Sequence, residues 1–206
     1  ADVLRGFDST GVIIGDDREY GFYKKALNAI DFMDMKPAAK LVNSNAINRP
    51  AFAIGHNRAA TVGNVSSANA HPFEQGNIVG VHNGTLRRYT KPENARDYGT
   101  DSEALYYNID KYGITEALSN VDGAYALVWY DDEEGTVNIV RNDERPLTMA
   151  KVKDEDTVLW ASESGMLKWL CERNDIKVEK YFSPKANMHC KFHINSKSVA
   201  TFEYEK

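Results

Sequence analysis

Seven short apolar runs, each four to six residues long and rich in β-branched or aromatic side chains, constrain this chain more than any other feature. They occupy residues 10–14, 51–54, 77–81, 124–129, 137–140, 147–152 and 157–161. Runs of this length and content suit buried or half-buried strands. Asp131-Asp132-Glu133-Glu134-Gly135 stands between two of them as a solvated acidic turn, and Gly135 accommodates the positive φ of a tight reversal, so a hairpin is expected there. Residues 188–204 alternate again about an Asn195-Ser196-Lys197-Ser198 turn. Helical spacing appears in three stretches: about 26–41, 102–111 continuing into 115–118, and 164–173. Ser102 and Ser164 are the expected N-caps. Strands clustered in the middle and at the end, with helices as packing layers, predict an α+β class, mainly antiparallel.

A chain of 206 residues with 42% hydrophobic content can bury one substantial core, and no repeat or linker interrupts it, so residues 1–206 are expected to form a single domain. A net charge of −5 with acids and bases interspersed provides no basic stripe for nucleic acid. The two cysteines, Cys171 and Cys190, form no disulfide framework and no C-x-x-C spacing, which points to a reducing compartment. No apolar stretch approaches the ~20 residues of a membrane span, and no signal-like segment opens the chain. The expected location is the cytoplasm.

Short polar motifs follow one another in the first half. Arg5-Gly6-Phe7-Asp8-Ser9-Thr10-Gly11 is followed by Gly55-His56-Asn57-Arg58-Ala59-Ala60-Thr61-Val62-Gly63. Asn69-Ala70-His71-Pro72, Val81-His82-Asn83-Gly84 and Gly99-Thr100-Asp101-Ser102-Glu103 come next. In this order they resemble the glutaminase domain of class II glutamine amidotransferases. This is the N-terminal-nucleophile group that includes the amidotransferase domains of glucosamine-6-phosphate synthase and amidophosphoribosyltransferase. Gly123-Ala124-Tyr125-Ala126 and Pro146-Leu147 carry the resemblance to about residue 150, and residues 157–206 diverge from it. The region 55–84 also resembles compact stand-alone members encoded by tailed bacteriophages, which would place the protein in a host cytoplasm.

The resemblance implies a four-layer αββα sandwich of two antiparallel sheets, the Ntn-hydrolase fold, and a pocket for free glutamine without any cofactor. Arg58 would clamp the α-carboxylate, since its planar fork pairs a carboxylate through two charge-assisted hydrogen bonds. Asp101 would face the α-ammonium, with Thr61 and His82 completing the cage. The Asn83 side chain and Gly84 N–H match the family's oxyanion hole, which stabilises the tetrahedral intermediate of amide hydrolysis. Arg5, Gly6, Asp8 and His56 would support the site.

The family's nucleophile is an N-terminal cysteine whose own α-amine, with a pKa of about 7.7–8.0, is the general base. Family spacing puts that cysteine roughly 25–30 residues before Arg5, and Cys171 and Cys190 have peptide-bonded nitrogens that cannot repeat the chemistry. The first strand of the fold is therefore expected from about 25 residues of a longer parent, or from a partner or sister chain, which would also bear on the ammonia acceptor. Where the family motif reads H-T-R-W-A-T-H-G, this chain has Asn57, Ala59 and Val62 for threonine, tryptophan and the second histidine.

Plainer readings stay open for the same residues. Arg58 can snorkel or pair at a surface, Asp101 can belong to a helix-capping turn, and Asn83-Gly84 is a strong hairpin signal. Arg5 and Asp8 can form an ion pair or turn contacts. The spacings of His56, His71 and His82 do not match a compact metal motif, and a metal site is rejected. Tyr20, Phe22, Tyr23, Tyr106 and Tyr107 read as packing residues. Three functions follow: a glutaminase-type amidotransferase domain that releases ammonia in a full-length parent, a glutamine-binding pseudoenzyme, or an interaction scaffold on the same fold.

Overall fold

The structure is a computed structural model that describes residues 6–43, 50–93 and 97–194, and the backbone of 195 and 198–205. Its strands are β1 (Ser9–Gly15), β2 (Tyr20–Lys25), β3 (Phe52–Arg58), β4 (Phe73–Gln75), β5 (Ile78–Arg88), β6 (Asp122–Asp131), β7 (Thr136–Arg141), β8 (Thr148–Val152), β9 (Val158–Ala161), β10 (Val178–Phe182), β11 (His189–Asn195) and β12 (Ser198–Glu205). The helices are α1 (Ala29–Met33), α2 (Lys36–Asn43), α3 (Asp101–Tyr112), α4 (Ile114–Ser119) and α5 (Ser164–Arg173).

A six-stranded antiparallel sheet of order β12-β11-β7-β6-β5-β4 forms the floor of the molecule. One face packs against α3 and α4, with Leu105, Tyr106 and Ile109 meeting Leu127, Trp129 and Val140. The other face contributes Val79, Val128, Ile139 and Phe192 to a core shared with Ile13 and Ile54 of one upper sheet and Met149 of another. Those upper sheets, β2-β1-β3 and β10-β8-β9, each have three strands. On their outer sides, α1 and α2 cover the first, where Phe32 packs on Tyr23, and the Leu167 and Cys171 stripe of α5 covers Ala150 and Ala161 of the second. These are the four layers that the resemblance implies, with one difference: among the described residues the upper sheet is two separate halves.

All seven apolar runs coincide with strands, four of them from their second residue onward, and the Asp131 turn closes the β6–β7 hairpin with Gly135 at φ +62°. Local departures have local causes. The stretch expected to be one helix over 26–41 is split into α1 and α2, because Pro37 lacks an N–H and is tolerated only in a first turn. Asn28 starts α1 by accepting hydrogen bonds from the N–H groups of Ile30 and Asp31. The N-cap of α3 is Thr100, not Ser102, and its hydroxyl accepts from Glu103 N–H at 3.1 Å. Glu163, not Ser164, precedes α5 and makes no capping bond with its side chain. Tyr20, Phe22 and Tyr23 belong to β2, a strand with no apolar run to announce it. Asn195 and Ser198 are paired as the turn requires, while residues 196 and 197 lie outside the described residues.

Candidate functional site

β5 runs straight through Asn83-Gly84, pairing Asn83 with Ala126 and Gly84 with Tyr125, so this dipeptide is strand and not turn. Alternation along β5 sends Val81, Asn83 and Thr85 to the face shared with the upper sheets, and His82 and Leu86 toward α3. Gly84 has φ +154°, and a Cβ there would overlap the Ala124 carbonyl oxygen and come within 2.7 Å of the His82 ring. Only glycine fits this position without strain.

Above this part of β5 lies a cleft of about 960 Å³ between the two upper half-sheets. Arg58, Thr61, His56, His82, Asn83, Gly84 and Asp101 all line it, so the sequence motifs converge on one end. Arg58 closes β3 at that end and is buried, 6% exposed. Its Nη2 donates to the Val62 carbonyl, while Nη1 is buried with no hydrogen-bond partner among the described residues. Burial lowers the Arg58 pKa, and the nearby Asp8 and Asp101 carboxylates oppose that shift. A buried guanidinium with an unused donor is costly unless an acceptor meets it.

The supporting residues work through the backbone. Asp8 accepts from Ala60 N–H at 2.7 Å and donates its own N–H to the Arg58 carbonyl at 3.1 Å, fixing the loop after β3. Gly6 passes so close to β3 that a Cβ would lie 2.7 Å from the Asn57 and Arg58 carbonyl carbons. Arg5 lies outside the described residues. Thr61 Oγ1 and Thr85 Oγ1 are 2.9 Å apart, tying that loop to β5.

Asp101 and His82 are more internally engaged than the sequence reading anticipated. The Asp101 carboxylate accepts from Leu86 N–H at 2.8 Å and from Ser102 N–H at 2.9 Å, locking the start of α3 to β5. His82 is 2% exposed, with Nδ1 2.9 Å from Ser102 Oγ and Nε2 3.3 Å from the Ala124 carbonyl. The carbonyl can only accept, so Nε2 carries the proton and Nδ1 accepts from the serine. A positioning role beneath the site suits this geometry. His56 packs on His71 with ring centroids 4.1 Å apart and the planes tilted by 41°, and burial holds its pKa down at about 4, with His71 also well below the usual imidazole range.

Both thiols are buried on residues whose nitrogens are peptide-bonded, so neither is an N-terminal nucleophile. Cys190 is fully buried in the six-stranded sheet, where burial pushes its pKa up to about 11, and Cys171 is packed between α5 and β8–β9. Thr85 and Arg145 are lining residues not singled out from the sequence, and Ser102, expected there as an N-cap, instead meets His82. Burial lowers the His82 pKa, and the charge of Arg145, which lines the cleft beside Pro146, adds to that shift. The place of Arg145 immediately before Pro146-Leu147 was the available signal.

Comparison with known proteins places this geometry in context. The family profile described as a glutamine amidotransferase domain matches residues 43–202, continuing past residue 157 where the short motifs thin out. Glutamine–fructose-6-phosphate aminotransferase (isomerizing) of Clostridium tetani is 30% identical over 168 residues, covering 73% of this chain and 26% of that protein. The Methanosarcina mazei protein of the same name is 31% identical over 181 residues, 74% of this chain and 28% of that one. The chain thus spans about a quarter of the length of these curated relatives. Among solved structures, the allosteric regulatory enzyme of purine biosynthesis superposes with a TM-score of 0.72 at 21% identity, over 98% of this chain and 44% of that one. The glutamine phosphoribosylpyrophosphate amidotransferase of B. subtilis gives 0.64 at 18% identity, over 98% and 44%. These likenesses show the αββα sandwich of the N-terminal-nucleophile amidotransferases.

Proposed function

The chain belongs to the glutamine amidotransferase domain family, and on that premise we propose that the polar end of its cleft binds L-glutamine. The buried Arg58 Nη1, which has no partner among the described residues and belongs to a residue lining the same cleft as Asn83, is the observation that carries this reading. Arg58 takes the α-carboxylate, and Thr61 and Asp101 stand near the α-ammonium. The side-chain amide lies toward Asn83 and Gly84, where the Asn83 amide and Gly84 N–H meet the developing oxyanion. His82, Asp8 and Gly6 hold these groups in place. In a full-length parent with an N-terminal cysteine, the thiol attacks the amide carbon and ammonia leaves with a proton returned by the α-amine. Water then releases glutamate from the thioester.

Asn57, Ala59 and Val62, which line the cleft where the family motif has threonine, tryptophan and histidine, favour a second reading, a module that binds glutamine without hydrolysing it. Isothermal titration of the 206-residue chain with L-glutamine tests the shared part: saturable one-to-one binding supports both readings, and none at millimolar glutamine removes both. Ammonia release from a chain extended to begin with cysteine then separates them.

A further inference from the structure

The connection from β3 to β4, residues 59–72, contains no helix or strand and carries Thr61, Val62 and His71 of the cleft lining. Loops longer than ~12 residues are uncommon in compact domains unless function requires them, and their backbone groups must find partners elsewhere. Lys24 of β2 is one such partner. Its Nζ donates to the carbonyl oxygens of Ala68 at 3.1 Å, Ala70 at 2.9 Å and Pro72 at 2.8 Å, and lies 4.6 Å from the centroid of the Phe73 ring. An ammonium has three protons, so these carbonyls use them all and leave none for a ligand. Burial lowers the Lys24 pKa, while the carboxylates of Glu103, at the head of α3, and Glu74 oppose that shift. Ser67 Oγ adds a second tie by accepting from Ala26 N–H, just past β2, at 3.1 Å.

Asn69 sits between two of these carbonyls in the chain, and its side chain joins two other segments. Its Nδ2 donates to the Asn64 carbonyl at 3.0 Å, and its own N–H donates to Ser66 Oγ at 3.2 Å. A Cβ on Gly99 would come 2.3 Å from Asn69 Oδ1, and one on Gly63 would come 3.2 Å from Asn69 Nδ2 and 2.4 Å from the Gly99 carbonyl oxygen. The Asn69 amide is therefore packed against both glycines, whose backbones close on it because neither carries a side chain. Gly63 directly follows Val62, the residue whose carbonyl accepts from Arg58 Nη2. Gly99 directly precedes Thr100 and Asp101 at the start of α3.

We propose that Lys24 is a positioning residue for the polar end of the cleft: by gathering the Ala68, Ala70 and Pro72 carbonyls it fixes Asn69 between Gly63 and Gly99, and so sets Val62, which holds Arg58, relative to Asp101. Lys24 itself acts on the site through this path and not by touching a ligand. Its charge suits the task, since three carbonyls drawn to one point repel one another unless a cation stands among them. The consequence for affinity rests on the glutamine reading, whereas the path is a property of the chain without ligand.

Three variants test it. Lys24→Met keeps most of the apolar stem and removes the donors, Asn69→Ala removes the joint, and the double variant distinguishes one path from two local losses. Amide hydrogen exchange is followed without glutamine at Ala60, whose N–H is bonded to Asp8, and is compared with the amides of β6 and β7, which report global stability. Each single variant is expected to speed Ala60 exchange about 10-fold relative to β6 and β7, and the double variant to go no further than the faster single one. Effects that multiply in the double variant, or Ala60 exchange that merely follows β6 and β7, would reduce Lys24 to packing and overturn the proposal. An unchanged Ala60 rate in Asn69→Ala alone would break the path, whether or not Lys24→Met folds. Titration with L-glutamine should show about 10-fold weaker binding by each single variant, and parent-like affinity in both would overturn the role at the site. Absence of binding by the parent would fail the glutamine reading instead, and the exchange result still decides the path.

Discussion

Replacing Arg58 with lysine tests the carboxylate clamp with little change in charge. The guanidinium stands near Asp8 and Asp101, so a neutral residue would leave two carboxylates without their cation and confound binding with unfolding. Lysine keeps the charge but presents a point donor in place of the fork, losing one charge-assisted hydrogen bond to a bound carboxylate and the support of Val62. One such bond contributes about 1.5–3 kcal/mol, which weakens glutamine binding about 10- to 150-fold. The assay is a four-way calorimetric titration of parent and Arg58→Lys with L-glutamine and with its α-carboxamide. If Arg58 pairs the α-carboxylate, the substitution weakens glutamine binding by that factor and leaves the carboxamide nearly unaffected. Equal losses for both ligands would refute the assignment and make Arg58 a structural residue of the loop after β3.

Three further outcomes follow from the same geometry. Gly84→Ala drives a Cβ into the Ala124 carbonyl at a positive φ, so urea denaturation should show a loss of at least about 1–3 kcal/mol, and unchanged stability would remove the strain argument. Tyr106→Phe deletes a buried hydroxyl that donates to the Val81 carbonyl at 2.6 Å, and should cost about 1–2 kcal/mol in the same assay with glutamine affinity intact; a loss of affinity would mean that the α3 face is coupled to the site. His56 has a folded pKa of about 4 against about 6.5 unfolded, so its contribution is complete above pH ~6.5 and is lost as pH falls toward 4, by about 3 kcal/mol. Comparing the pH dependence of parent and His56→Gln isolates that share from the carboxylates; parallel curves would contradict the burial of a neutral imidazole.

Much of the sandwich was legible because its strands are short, apolar and β-branched, and a buried strand announces itself that way. β2 and β10 escaped notice because Tyr20–Lys25 and Val178–Phe182 lie at sheet edges, half-buried or exposed, and keep polar residues. Asn83-Gly84 looked equally like a turn. Its strand conformation is imposed from a distance by pairing with Tyr125 and Ala126, more than forty positions away. The site shows the same division. Arg58, Thr61, Asn83 and Gly84 were found through short motifs, yet the unpaired Nη1, the Asp8 bond to Ala60 and the Thr61–Thr85 contact exist only once β1, β3 and β5 are brought together. Asp101 is the instructive case: its place at the head of α3 was readable, whereas the tie to Leu86 that occupies one of its oxygens was not.

The most direct test of glutamine recognition is a crystal structure of the chain grown with L-glutamine. The account predicts the α-carboxylate within about 3.2 Å of the Arg58 guanidinium and the side-chain amide directed at Asn83 and Gly84. Glutamine bound with its carboxylate away from Arg58, or a cleft that stays empty at saturating glutamine, would contradict it.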